Sequence, residues 1–177
     1  MKAEELRAIQ KPVKDRYRSE PETALFTLKA EGKVGQGITC NVRTRNGVVE
    51  AGLHRGTGGD GTKVCSGDML LEALVACAGV TLAAVATSMG VTLRDAVIRA
   101  EGDIDFRGTL GVSRDVQVGF RKIRLTFELG TDAPSETRAK LISLTERYCV
   151  VYQTLLHSPQ FELSDRNRTE ETTGIST

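Results

Sequence analysis

From Met69 to Gly90 the chain reads MLLEALVACAGVTLAAVATSMG, a helical stretch in which Glu72 is the only charged residue. A helix that is apolar nearly all round has to be covered on most of its sides, so the rest of the chain must supply that cover. Ser66 or Asp68 is placed to cap this helix and Gly90 to stop it. A second long helix is predicted to open in Thr131-Asp132-Ala133-Pro134-Ser135 and to run to about His157, ahead of Pro159. Its first half is amphipathic, with polar Glu136, Arg138 and Lys140, and it turns apolar around Cys149. Each helix thus carries one central cysteine, Cys77 or Cys149, and neither has a cysteine neighbour at metal or redox-loop spacing. A thiol in a buried helix is ordinarily a small, inert hydrophobe. Two such helices side by side would instead bring two sulfurs together in a protected pocket. On the residues alone, both readings stand.

Outside these helices the apolar period changes to two. Residues 24–30, 38–43 and 48–54 alternate and read as an antiparallel meander, with Asn46-Gly47 as a hairpin turn. Residues 96–106 and 122–129 alternate again, and Gln160–Leu163 is a short last strand. An amphipathic helix over about residues 2–17, with Leu6, Ile9 and Val13 on one face, is interrupted or ended near Pro12. Three strands, helix, two strands, helix, strand is an α+β order, not the alternating order of a parallel sheet. The divisions are a helical extension over 1–20, one domain over 21–164 and a polar tail over 165–177.

Composition narrows the function. The net charge is +1, from 24 basic and 23 acidic residues, which leaves no electrostatic footprint for nucleic acid or a membrane surface. The charged opening MKAEELRAIQKPVKDRYR lacks the apolar core of a leader, and no apolar run reaches a membrane span free of polar breaks. A cytosolic setting is therefore expected, in which the Asn167-Arg168-Thr169 glycosylation triplet has no meaning. Standing disulfides are rare there, so four cysteines point to free thiols, a metal site or a catalytic redox pair. With only His54 and His157, and no CxxC or HxxxH spacing, a zinc site ranks low. Cys40 falls on the apolar face of a strand and reads as core filler. Cys65, just ahead of the long helix, reads as a loop residue, with a third redox thiol as the alternative. Gly56-Thr57-Gly58-Gly59-Asp60-Gly61 fits GxGxxG, but no βαβ unit surrounds it, so it reads as a flexible loop that closes over a site.

The strand meander, the Gly-rich loop, the Leu74-Val75-Ala76-Cys77 helix and the later Cys149-Val150-Val151-Tyr152-Gln153-Thr154-Leu155 together resemble the OsmC/Ohr family, over roughly residues 24–164. This resemblance implies an OsmC-like fold, antiparallel sheets wrapped around two long buried helices, in an intertwined homodimer with its sites at the interface. It also implies that Cys77 attacks the O–O bond of an organic hydroperoxide and that Cys149 traps the resulting sulfenic acid as a disulfide. A dithiol, in several members a lipoyl group, restores the pair, and no cofactor or metal is required. The chemistry suits these residue types. Thiolate is the nucleophile, a nearby guanidinium stabilises it, a carboxylate steadies the guanidinium, and a second thiol prevents over-oxidation.

For the guanidinium the matching residue is Arg55, which shares the parity of Val49, Ala51 and Leu53 and points coreward if the strand continues. The first hairpin, where the Ohr branch takes its arginine, has only Lys33 in the matching region Ala30–Gly37. The family's glutamate has no counterpart. Asp68 is the nearest carboxylate and Asp60 the fallback, and Val150 stands where a proline usually follows the second cysteine. The expected activity is a thiol peroxidase with Cys77, Cys149, Arg55 and Asp68 as its site. The alternatives are an OsmC-like binding protein with weak or no peroxidase activity, and a thiol enzyme acting on another electrophile.

Overall fold

In the computed structural model, which describes residues 1–166, helix α2 runs from Ser66 to Met89. Gly90 ends it in the left-handed region, φ 69°, the stop that glycine provides most cheaply. Leu74, Ala78, Leu82 and Ala86, one turn apart, are at most 3 % exposed, whereas Val80 is 74 % exposed. The expectation of burial on most sides therefore does not hold within one chain. A single layer of strands and helices covers one stripe of α2 and leaves another open.

That layer is built mainly from the second half of the chain, and the N-terminal helix α1 (Ala3–Ser19) also contacts α2. Strands β5 (Asp95–Ile104) and β6 (Phe120–Gly130) form an antiparallel pair whose register runs from Asp95 opposite Gly130 to Ile104 opposite Phe120. Ile98 and Ala100 of β5 and Ile123, Leu125 and Phe127 of β6 alternate onto the face that meets Leu74 and Ala78. Further along, Leu141 packs on Leu82 and Ala86. The first half contributes β1 (Gly32–Val34), β2 (Thr39–Thr44), β3 (Gly47–Gly52) and β4 (Val64–Cys65), in that spatial order. The two-residue β4 lies parallel to β3, so this sheet is not wholly antiparallel as expected. The β2–β3 turn sits at Arg45-Asn46, one residue earlier than predicted, since Gly47 already pairs with Thr44.

Several other expectations are corrected. Helix α1, Ala3–Ser19, passes through Pro12 without ending there. Residues 24–30 form no strand: a 3-10 turn over Pro21–Ala24 leads into unpaired chain with Leu25 87 % and Leu28 91 % exposed. Gln160–Leu163 is likewise unpaired, with Phe161 87 % exposed. Both segments have strand-like sequence, but a strand exists only where another edge takes up its N–H and C=O groups. The loop after β5 contains a one-turn helix α3, Phe106–Thr109. The second long helix is two helices, α4 (Ser135–Tyr148) and α5 (Val150–Leu156), broken at Cys149. Of the expected tail, residues from 167 on, including Asn167, lie outside the described residues.

Candidate active site

Cys77 sits on the face of α2 between the buried Leu74 and Ala78, and it packs against Cys149 and Val151. It is partly exposed, whereas Cys149 is 1 % exposed. The break in the second helix is what brings the two sulfurs together. Cys149 adopts an extended conformation, φ −75° and ψ 107°, which closes α4 and opens α5 on a new axis. Its N–H bonds the Thr145 carbonyl at 2.9 Å and its own carbonyl takes the Gln153 N–H at 2.9 Å. Thr145, fully buried, turns its hydroxyl back onto the Leu141 carbonyl at 2.8 Å.

The first N–H groups of any helix lack intrahelical acceptors. In α5 they bear on the sulfurs: the Val151 and Val150 N–H groups lower the Cys77 thiol, and the Tyr152 and Val151 N–H groups work against the rise of Cys149. The Cys149 thiol and the Thr81 hydroxyl, one helical turn further along α2, also lower the Cys77 thiol. Burial pushes the pKa of Cys77 up and is the largest single influence, but the donors together outweigh it and hold this thiol below the ordinary value. Burial pushes the Cys149 thiol up, and the adjacent Cys77 sulfur adds to that despite the Tyr152 N–H. The two thiols are thus shifted in opposite directions, Cys77 down and Cys149 up.

Beside the cysteines a groove of about 650 Å³ opens between β6 and the α4–α5 pair. Leu125, Phe127, Ile142 and Leu155 line it, with Arg121, Lys122 and Glu146 as its charged members. Leu74 and Tyr152 belong both to its wall and to the packing around the sulfurs. Burial, the Glu146 charge and a hydrogen bond to that carboxylate raise the Tyr152 phenol above its usual value.

The two other predicted site residues lie elsewhere in the single chain. β3 ends at Gly52, so Arg55 does not continue its coreward parity. It lies exposed in the 3-10 turn Arg55–Thr57, with its guanidinium against Gly61, where φ is +77° and any Cβ would clash with Arg55 Nε. Asp68 is two and a half turns before Cys77 on α2, about 13 Å along the axis. It lines a separate cavity of about 350 Å³ with His54, Cys65 and Phe106. There His54 stacks on Phe106 at 5.0 Å between centroids and accepts the Gly56 N–H at 2.9 Å. The fallback Asp60 binds its own loop, through the Thr62 N–H and hydroxyl. Among the described residues, no three His, Cys, Asp or Glu side chains converge as a metal site.

Three contributors were not singled out from sequence. Thr81 was findable, because it lies four residues after Cys77 on a helix. The Val150 and Val151 N–H donors were not, because the run Glu146 to Tyr152 contains neither proline nor glycine to signal a break.

A family model described as OsmC-like protein matches residues 59–164. Among solved structures the chain is similar to an OsmC-like protein from Mycoplasma pneumoniae, at 15 % identity over 75 % of this chain and 89 % of that one, TM-score 0.63. It is similar to an organic hydroperoxide resistance protein OsmC from Legionella pneumophila, at 18 % identity over 74 % and 90 %, TM-score 0.53. It is also similar to the organic hydroperoxide resistance protein OhrB of Bacillus subtilis, at 18 % identity over 75 % and 93 %, TM-score 0.52. At these identities the likeness is one of fold, and no curated protein matches the chain. The family match extends over more than half of the sequence and takes in both Cys77 and Cys149, so the chain belongs to the OsmC-like protein family.

Proposed function

We propose that the protein is a thiol-dependent peroxidase that reduces organic hydroperoxides. The observation that carries this reading is the packing of Cys77 against Cys149 at the break between α4 and α5, with the Cys77 thiol held below and the Cys149 thiol above its ordinary value. The Cys77 thiolate attacks the terminal oxygen of the hydroperoxide, the O–O bond breaks, and the alkoxide leaves to be protonated to the alcohol. Cys77 is then a sulfenic acid. The Cys149 sulfur attacks it, and its proton leaves with the hydroxyl as water, which closes a Cys77–Cys149 disulfide. A dithiol, such as a lipoyl group, reduces that disulfide and is itself oxidised. The wall of Leu125, Phe127 and Leu155 suits an apolar R group on the hydroperoxide.

The active form is proposed to be a homodimer. Leu25, Leu28, Val80 and Phe161 are each at least 74 % exposed, on segments that lack a covering layer or a paired edge. Arg55 is proposed to meet the peroxide oxygens once two chains assemble, and Asp68 to act with it. A binding protein with little peroxidase activity is the second reading, favoured by the separation of Asp68 from the cysteines.

Reduced protein treated with an equimolar amount of cumene hydroperoxide, followed by thiol mapping by mass spectrometry, distinguishes the two. Rapid formation of the Cys77–Cys149 disulfide, absent in Cys77→Ser, is the expected result. Thiols that stay unreacted at Cys77 would favour the binding protein.

A further inference from the structure

An α-helix that breaks without proline or glycine needs something else to hold the break open. In an unbroken helix the Glu146 carbonyl would take the Val150 N–H, four residues on. Here that carbonyl accepts the Gln153 side-chain amide instead, Nε2 to O 2.9 Å, at a part-buried position. The Gln153 backbone N–H meanwhile bonds the Cys149 carbonyl at 2.9 Å, so one residue ties α5 to both sides of the break. The Glu146 carboxylate is engaged as well, by the Tyr152 hydroxyl.

We propose that Gln153 is a positioning residue for the cysteine pair: by occupying the Glu146 carbonyl, its side-chain amide keeps the Val150 N–H from re-forming the helix, which holds Cys149 at the break against Cys77 and leaves the Val150 N–H free for the Cys77 sulfur. The two arrangements exchange one hydrogen bond for another. With Gln153 in place, Glu146 is satisfied by an amide and Cys77 by a backbone donor. Without it, Glu146 and Val150 are left as natural partners, a single helix can run through Cys149, and the sulfur loses a donor. Gln153 acts only through the backbone and does not touch Cys77 itself. The proposal deepens the peroxidase reading, on which its catalytic meaning rests. It is nevertheless tested on thiol acidity with no peroxide present, so the two can fail separately.

The test is the iodoacetamide alkylation rate of Cys77 as a function of pH, read by mass spectrometry of its peptide, with Cys40 and Cys65 as internal references. Gln153→Met, similar in shape but without a donor, is expected to shift the Cys77 profile to higher pH. At neutral pH it should slow alkylation by roughly tenfold, the worth of one hydrogen bond to a charged group. Gln153→Lys, which restores a donor for the carbonyl, is expected to recover most of that loss. A Gln153→Met profile that overlays the unaltered protein overturns the proposal. So does a Gln153→Lys variant as slow as Gln153→Met, because packing rather than the donor would then be responsible. Should Gln153→Met not fold, amide proton shifts of the unaltered protein decide. The Val150 resonance is expected to move as Cys77 ionises, and a Val150 resonance that does not respond overturns the proposal.

Discussion

Replacing Cys149 with alanine or with serine separates its two jobs, trapping the sulfenic acid and acidifying Cys77. Neither variant can close the disulfide, so both should stop after one turnover with Cys77 as sulfenic acid. They differ in what they offer the Cys77 thiolate. The neighbouring Cys149 thiol lowers the pKa of Cys77, as a donor to its thiolate would. Serine keeps a donor at that place, while alanine removes it from a position only 1 % exposed to water. A hydrogen bond to an ionised group is worth about 1.5–3 kcal/mol, and the lower end applies to a weak S–H donor. At about 1.4 kcal/mol per factor of ten, Cys149→Ala should lower the thiolate-to-thiol ratio of Cys77 roughly tenfold where the thiol is mostly protonated. Removing a donor to the charged form moves the titration upward, so the deficit is largest at low and neutral pH. It should vanish once the medium is alkaline enough to ionise Cys77 in both variants. The assay is the single-turnover rate of sulfenic acid formation with cumene hydroperoxide against pH, alongside iodoacetamide alkylation. Cys149→Ser should track the unaltered protein to within about threefold. Equal rates for the alanine and serine variants at neutral pH would refute the role of Cys149 as a donor. A deficit in Cys149→Ala that persists at high pH would refute acidity as its cause.

Leu141, fully buried against Leu82 and Ala86, should cost about 3 kcal/mol when cut to alanine, whereas Leu70→Ala, at a site already 38 % exposed, should cost about 1 kcal/mol or less; urea unfolding measures both. Asp105 is held down to about 2 by side-chain and backbone hydrogen bonds from Arg107, assisted by the Arg107 and Arg121 charges. Because this carboxyl is more acidic folded than unfolded, its contribution to stability is present above the usual carboxylate range, about 4, and is lost as pH falls towards 2. Asp105→Asn should therefore unfold at lower urea than the unaltered protein at neutral pH, and the difference should shrink as pH approaches 2. Val80→Glu places a charge on the open stripe of α2 and, on the proposed homodimer, is expected to shift the population towards monomer in light scattering.

Much of the architecture was legible because it follows from short-range physics. The apolar run from Met69 and the glycine at 90 specify α2 within a residue or two, since a helix face and a left-handed stop depend on local spacing. Alternation specified β5 and β6 for the same reason, and helical context placed Cys77 and Cys149 in apolar helices, while only the family resemblance paired them. Where the reading went astray, a partner was missing or local preferences were balanced. Residues 24–30 and 160–163 have strand-like sequence and no strand, because pairing requires an edge that one chain does not present to them. Arg55 has coreward parity and an exposed position, because β3 ends three residues earlier, at Gly52. The break at Cys149 was invisible, since nothing from Glu146 to Tyr152 forbids a continuous helix. On the proposed role of Gln153, it persists because the side-chain amide takes the Glu146 carbonyl. Residue types and spacings therefore determined which helices and strands this chain can build and which thiols lie within them. Whether those thiols become acid and donor depended on bonds between α2 and the start of α5, groups more than seventy residues apart, which only the folded chain brings together.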